Sequence, residues 1–137
     1  MWSEDKGVEL YQFFKSIIDE DRNPVVICNL EHVIIYANPA ARSAYEKHGR
    51  GPLLGTNVMD CHDNRSKMLI QIVADWFAKD KNNNRTHTFY EKDKNTDIYM
   101  VALRDDEGNL IGYYEKHESR NRETEEPYNS VVAEMGI

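Results

Sequence analysis

Cys61 and His62 are the adjacent residues best suited to chemistry in this chain. A thiolate and an imidazole are both good metal ligands, and a neighbouring histidine can lower the pKa of a thiol. Neighbouring side chains in a helical turn point about 100° apart, however, which makes one shared metal ion awkward. A structural zinc site also takes four ligands, and no second cysteine or histidine is close in the sequence. Three roles stay open: a structural pair with the histidine bonded to backbone, contact of His62 with a ligand, and metal or redox chemistry.

His87 and Tyr99, on two neighbouring predicted strands, are further candidates for ligand binding. A haem would need one axial histidine facing an apolar cavity, and His62 or His87 could supply it. No pairing of a nucleophile with a base stands out. Residues 49–52 predict a helix stop rather than a phosphate loop, because Pro52 has no amide hydrogen to donate. We therefore expect no catalysis and leave the cofactor unassigned.

Composition and charge describe one acidic globular domain. The 137 residues are 40% hydrophobic and carry a net charge of −7, which argues against nonspecific binding to nucleic acid or anionic membranes. No apolar run approaches the roughly 20 residues of a membrane span, and the first ten residues lack the layout of a signal peptide. Two cysteines alone are weak evidence for a disulfide. Cys28 lies in a predicted buried strand, where a cysteine acts as a small hydrophobic residue. We therefore expect the protein in the reducing cytoplasm.

The elements that must position these residues follow from apolar periodicity and turn chemistry. Two strands over residues 25–30 and 33–37, joined by a two-residue loop, open the domain. Asn38 is placed to cap a helix that begins at Pro39 and that Gly49 and Gly51 end. A short turn of helix precedes His62.

A longer helix is predicted over residues 64–79, with Asp63 or Asn64 as its cap. Its apolar residues recur at helical spacing and should pack one face on the body; they are Leu69, Ile72, Val73 and Trp76. Three strands over residues 85–92, 97–104 and 110–117 follow, linked by short turns as an antiparallel meander. The charged tail after them is expected to be loose. Strands at both ends and helices between indicate an α+β domain with a ligand cavity beneath the helices.

An amphipathic helix is predicted over residues 4–19. Its apolar stripe includes Tyr11, Phe14, Ile17 and Ile18. This stripe has to be buried somewhere, so it either covers the domain's own sheet or pairs with a second copy of the chain.

Four segments of the chain, in this order and spacing, resemble PAS domains, a family of small sensory modules. They are residues 21–26 (DRNPVV), 33–41 (VIIYANPAA), 54–55 (LG) and 104–113 (RDDEGNLIGY). Residues 53–62 (LLGTNVMDCH), with Ser66 after them, resemble a narrower PAS group that has no secure ligand.

The resemblance implies a five-stranded antiparallel sheet in the order 2-1-5-4-3, with helices on one face. It also implies sensing of a small molecule or assembly of protein partners, without catalysis, and a homodimer formed through the N-terminal helix. On this basis residues 1–20 are the amphipathic helix, residues 21–118 the PAS domain and residues 119–137 a charged, flexible tail.

Two departures from the family pattern bear on function. Many PAS sensors end in Asp-Ile-Thr before a signalling helix, whereas this chain has Glu118-Ser119-Arg120. Flavin-binding members carry Asn-Cys-Arg-Phe, whereas Cys61 follows Met59-Asp60, so no flavin is expected.

The sequence predicts a cytoplasmic, noncatalytic sensory module that binds a small, partly apolar ligand and forms a homodimer. The alternatives are an interaction module without a ligand and, less favoured, a haem sensor or a small enzyme on a similar curved sheet.

Overall fold

A computed structural model describes residues 7–46 and 51–136 of the chain. The helices are α1 (Leu10–Glu20), α2 (Pro39–Glu46), α3 (Asn64–Lys79) and α4 (Asn129–Met135), with a short 3-10 helix over Val58–Cys61. The strands are β1 (Val26–Asn29), β2 (Ile34–Ala37), β3 (Arg85–Glu91), β4 (Thr96–Arg104) and β5 (Leu110–Ser119). The predicted order of elements up to β5 is confirmed.

The five strands form one antiparallel sheet in the order β2-β1-β5-β4-β3, which confirms the predicted topology. The first hairpin and the closing meander join where β1 pairs with β5. Gly112 stands opposite Asn29 in this pairing, and a Cβ atom at Gly112 would come within 2.2 Å of the Cys28 carbonyl oxygen. Glycine at this position therefore lets the two halves of the sheet approach each other.

The turn of the first hairpin differs from the expected two-residue loop. Three residues, 30–32, separate Asn29 from Val33, and His32 takes a left-handed conformation with φ 66°. The Asn29 side chain accepts hydrogen bonds from the backbone amides of Glu31 and Val33, both at 3.0 Å. A three-residue loop that ends in a left-handed residue is a common hairpin solution, and here an asparagine side chain supports it.

Asn38 is fully buried and joins four segments of the chain. Its side-chain oxygen accepts from the amides of Val25 and Ala41, each at 2.9 Å. Its side-chain nitrogen donates to the carbonyl of Ile18 at 2.9 Å and to that of Asn23 at 3.1 Å. The predicted cap of α2 is confirmed, and the same amide also fixes the end of α1 and the start of β1.

The longer helix buries a different face from the one expected. Asp63 caps it as predicted, accepting from the amide of Ser66 at 2.8 Å. Phe77 is fully buried and Ile70 and Val73 pack against the core, whereas Ile72 and Trp76 are exposed. The prediction is therefore confirmed for Val73 and wrong for Ile72 and Trp76, and the packing face runs along residues 70, 73 and 77.

The N-terminal helix does not cover the sheet. None of its residues is buried, and the stripe of Tyr11, Phe14 and Ile17 is 56% to 70% exposed. The expectation that α1 covers its own sheet is therefore wrong. The predicted N-terminal helix includes residues 4–6, which lie outside the described residues. Gly49, one of the two glycines predicted to end α2, also lies outside them. The other, Gly51, has a left-handed backbone with φ 72°.

The chain after β5 forms one more element. Helix α4 has no buried residue, and its N-cap position, Tyr128, is 81% exposed. The boundaries assigned to the tail and its expected flexibility stay predictions.

Replacing Asn38 with Ala should lower the free energy of unfolding by about 3 kcal/mol, because it removes a helix cap and leaves buried backbone groups without partners. Urea denaturation followed by circular dichroism measures this loss. Asn57→Ala is the matched control, since that partly exposed side chain makes one capping bond, to the amide of Met59, and one bond to the Glu31 carbonyl, and should cost about 1 kcal/mol. Equal losses in the two variants would contradict the central role of Asn38.

Candidate functional site

A cavity of about 460 Å³ lies between the concave face of the sheet and the helices. All five strands contribute residues to it, and α3 with the 3-10 helix covers it. Most of its wall is aliphatic, including Val26, Ile34, Ile70, Val73, Ile98 and Met100. This volume falls in the range of small-molecule sites, which run from about 300 to 1,000 Å³.

Cys61 and His62 lie together in the wall of this cavity, next to Ser66. Both side chains are exposed, so they stand where the cavity meets solvent. His62 donates from Nδ1 to the carbonyl of Val58 at 2.8 Å, which leaves Nε2 for another partner. This geometry suits both a structural histidine and contact with a ligand, and the ligand-binding role stays a prediction.

Metal chemistry receives no support from the surroundings of this pair. Within residues 7–46 and 51–136, no three histidine, cysteine, aspartate or glutamate side chains are grouped so that they could hold a metal ion. A haem would depend on His62 as its axial ligand, because His87 does not line the cavity.

His87 and Tyr99 lie on the other face of the sheet from the cavity. Ile98 and Met100 line the cavity, and residues alternate between the two faces of a strand. His87 bonds to Asp97 at 2.8 Å, and its ring lies 5.3 Å from that of Tyr99. The structure thus separates these two predicted ligand-binding residues from Cys61 and His62.

The outer face around Tyr99 is a network of exposed ion pairs. The Arg85 guanidinium lies 4.0 Å from the centre of the Tyr99 ring. Arg120 holds the pKa of Asp97 below its usual range, with a further contribution from His87. Such exposed pairs are typical of a solvated sheet face and contribute little to stability.

A chain of hydrogen bonds leads from the cavity floor to the surface. Burial raises the pKa of the Cys28 thiol to about 11, and the thiol bonds to the Tyr113 hydroxyl. Tyr113 lies 2.8 Å from His32 Nδ1, and His32 Nε2 lies 3.0 Å from Gln71 Oε1. Because Gln71 donates its own amide hydrogen to Asp75, its oxygen accepts from His32, and His32 accepts from Tyr113.

This relay joins β1, β5, the hairpin turn and α3 around one wall of the cavity. The sequence analysis did not single out His32 or Tyr113 as site residues. No sequence signal could have found His32, since its partners are 81 and 39 residues away.

Glu115 is the second feature that the sequence analysis missed. Its side chain lines the cavity and accepts a hydrogen bond from His117 Nε2 at 2.8 Å. Burial raises the pKa of Tyr45, and the negative charge of nearby Glu115 raises it further. The sequence did contain a signal for Glu115, the alternation of side chains along β5. Tyr113 and Glu115 are two residues apart and therefore lie on the same face of the strand.

The two cysteines should differ sharply in reactivity. Iodoacetamide at pH 8 should alkylate exposed Cys61 and leave Cys28 unmodified, because Cys28 is 2% exposed and its pKa is raised to about 11, and the thiolate is the nucleophile. Mass spectrometry of tryptic peptides measures both sites. Labelling in urea is the control, in which both cysteines should react. Equal labelling in the native protein would contradict the burial of Cys28.

No protein-family model matches this sequence, and no curated protein matches it. Solved structures do match it in fold. A C-terminal domain from Streptococcus mutans superposes with a TM-score of 0.66 at 17% identity, covering 85% of this chain and 90% of that one.

Two further solved structures are similar in fold. A PAS domain from Colwellia psychrerythraea gives a TM-score of 0.55 at 13% identity, covering 81% of this chain and 97% of that one. A sensory box sensor histidine kinase from Vibrio cholerae gives a TM-score of 0.51 at 12% identity, covering 79% and 87%. At such identities the similarity is one of fold.

Proposed function

The chain has the PAS fold that its motifs predicted, and on that premise we propose that it is a noncatalytic sensory module of the cytoplasm. It binds a small, partly apolar molecule in the cavity beneath α3. The observation that carries this proposal is the cavity itself, whose volume of about 460 Å³ would hold such a molecule. A filled interior would have favoured a purely structural role.

The wall of the cavity supports this proposal. Its aliphatic part would supply affinity through the hydrophobic effect, and its few polar groups would fix the orientation of a ligand. Cys61 and His62 are exposed at the entrance, with Ser66 beside them, while Tyr113 and Glu115 of β5 line another part of the wall. Within residues 7–46 and 51–136, no helix is long and apolar enough to cross a membrane.

The second part of the proposal is a homodimer formed through α1. Its stripe of Tyr11, Phe14, Ile17 and Ile18 lies along a helix without a buried residue, and Ile17 alone is 70% exposed. A second copy of the same helix is a self-complementary partner for such a stripe. Ligand binding would shift α1 through Asn38, which holds the end of this helix against the start of β1.

The exposed stripe also favours a second candidate function, a protein-interaction module without a ligand. Native mass spectrometry of protein purified under mild conditions separates the two functions. A bound small molecule of defined mass would support the sensory module, and bare protein from several expression hosts would favour the interaction module.

Filling the cavity should abolish ligand binding. In Ile98→Phe the larger side chain enters the cavity and should remove the copurifying mass in native mass spectrometry. Ile35→Phe is the matched control, because Ile35 lies on β2 outside the cavity wall and is 53% exposed. Retention of the mass in Ile98→Phe would place the ligand elsewhere.

Placing a charge on the α1 stripe should dissociate the dimer. Ile17→Asp would bury a carboxylate in the apolar interface and should raise the dimer dissociation constant at least tenfold. Sedimentation velocity over a range of concentrations measures this constant. Ser16→Asp adds the same negative charge on the polar side of α1 and should leave the dimer intact. A wild-type protein that stays monomeric at high concentration would refute the dimer.

A further inference from the structure

We propose that the cavity binds an organic cation, a primary ammonium carried on an apolar body, with the Glu115 carboxylate as its counter-ion. This inference rests on the proposed ligand-binding function and adds the chemical class of the ligand. Three observations support the inference: the cavity wall carries a negative charge, Glu115 has free hydrogen-bond acceptor sites, and apolar side chains surround Glu115.

The described wall of the cavity carries one acidic side chain and no lysine or arginine. Glu115 is that acidic residue, and the other polar groups are neutral hydroxyls and thiols together with His62 at the entrance. An anionic ligand would be repelled by Glu115 and would meet no permanent cation. A cationic ligand would be attracted, and the low dielectric of an apolar cavity strengthens that attraction.

Glu115 has acceptor sites to spare. An ionised carboxylate offers about four lone-pair sites, and here it accepts a hydrogen bond from His117 at 2.8 Å. Among the residues described, no lysine or arginine side-chain nitrogen lies within 4 Å of the Glu115 carboxylate, and its hydrogen-bond partner His117 has a side chain that is 8% exposed. The Nε2–H of His117 holds one carboxylate oxygen in place and leaves the other acceptor sites open to a ligand.

Glu115 is also reachable by a ligand. Its side chain is 40% exposed and lies in the cavity wall rather than beneath it. The neighbouring wall residues Val26 and Met100 pair with Glu115 across the two adjacent strands. An ammonium group bonded to Glu115 would therefore have apolar surface on both sides for the body that carries it.

Three probes of similar size test this inference by isothermal titration calorimetry at pH 7.5 on the full chain. They are 2-phenylethylammonium, 2-phenylethanol and 3-phenylpropanoate. The ammonium should bind at least tenfold more tightly than the alcohol, because a hydrogen bond to a charged group contributes more than a neutral one, and the carboxylate should bind most weakly. Glu115→Gln keeps an acceptor for His117 and should remove the preference for the ammonium. Glu107→Gln removes the same charge from an exposed turn and should leave the preference unchanged.

The outcomes separate the two proposals. Equal affinities for the ammonium and the alcohol would overturn the cation inference and leave the cavity as a ligand site. Tighter binding of 3-phenylpropanoate would overturn it as well. If no probe binds to the wild-type chain, the cation inference is overturned, while a copurifying mass in native mass spectrometry would still support the ligand-binding function. Should Glu115→Gln fail to fold, the ranking of the three probes on the wild-type chain still decides.

Discussion

The buried amide of Asn38 is the interaction on which the rest of the structure depends. Both ends of this side chain must be hydrogen bonded because no water reaches it. The side-chain oxygen accepts hydrogen bonds from the start of β1 and from the first turn of α2, which holds these two segments together. The side-chain nitrogen donates to the end of α1 and so holds this helix at the same point. The position of the first hairpin, and with it the floor of the cavity, follows from this one residue.

The two faces of the sheet illustrate how one set of strands can serve two environments. On the concave face, aliphatic residues and the relay through Tyr113 surround a cavity, and burial keeps Cys28 and Tyr113 protonated. On the outer face, Arg85, His87 and Asp97 make exposed ion pairs. The chemical difference arises because successive side chains of a strand point in opposite directions.

The sequence predicted what local chemistry determines. The Asn38 cap was predicted, as was a cap of α3 at Asp63 or Asn64, because capping residues act over a few positions. The strand order was predicted from the resemblance to PAS domains. Val73 was correctly predicted on the packing face of α3, but apolar spacing alone could not tell buried Phe77 from exposed Ile72 and Trp76.

The parts of the site that could not be predicted depend on distant residues. Alternation divides β3 and β4 into two sets without saying which set faces the cavity. A register shift between His87 and Phe89 also disturbs that alternation, and both Thr88 and Phe89 line the cavity. The environments of His32 and Glu115 depend on strand pairings and helix contacts formed only in the folded chain.

The attachment of α1 has a mechanical consequence. The helix is bonded to the body near its C-terminal end, through Asn38 and through the contact of Asp19 with Tyr36, while its apolar side stays uncovered. Eleven residues span about 16 Å, so a rotation of about 10° at that pivot would carry the far end through about 3 Å. Helix α1 thus acts as a lever arm. A small rotation at its C-terminal end would leave the sheet unchanged but would move its N-terminal end far enough to change its contacts with a neighbouring molecule.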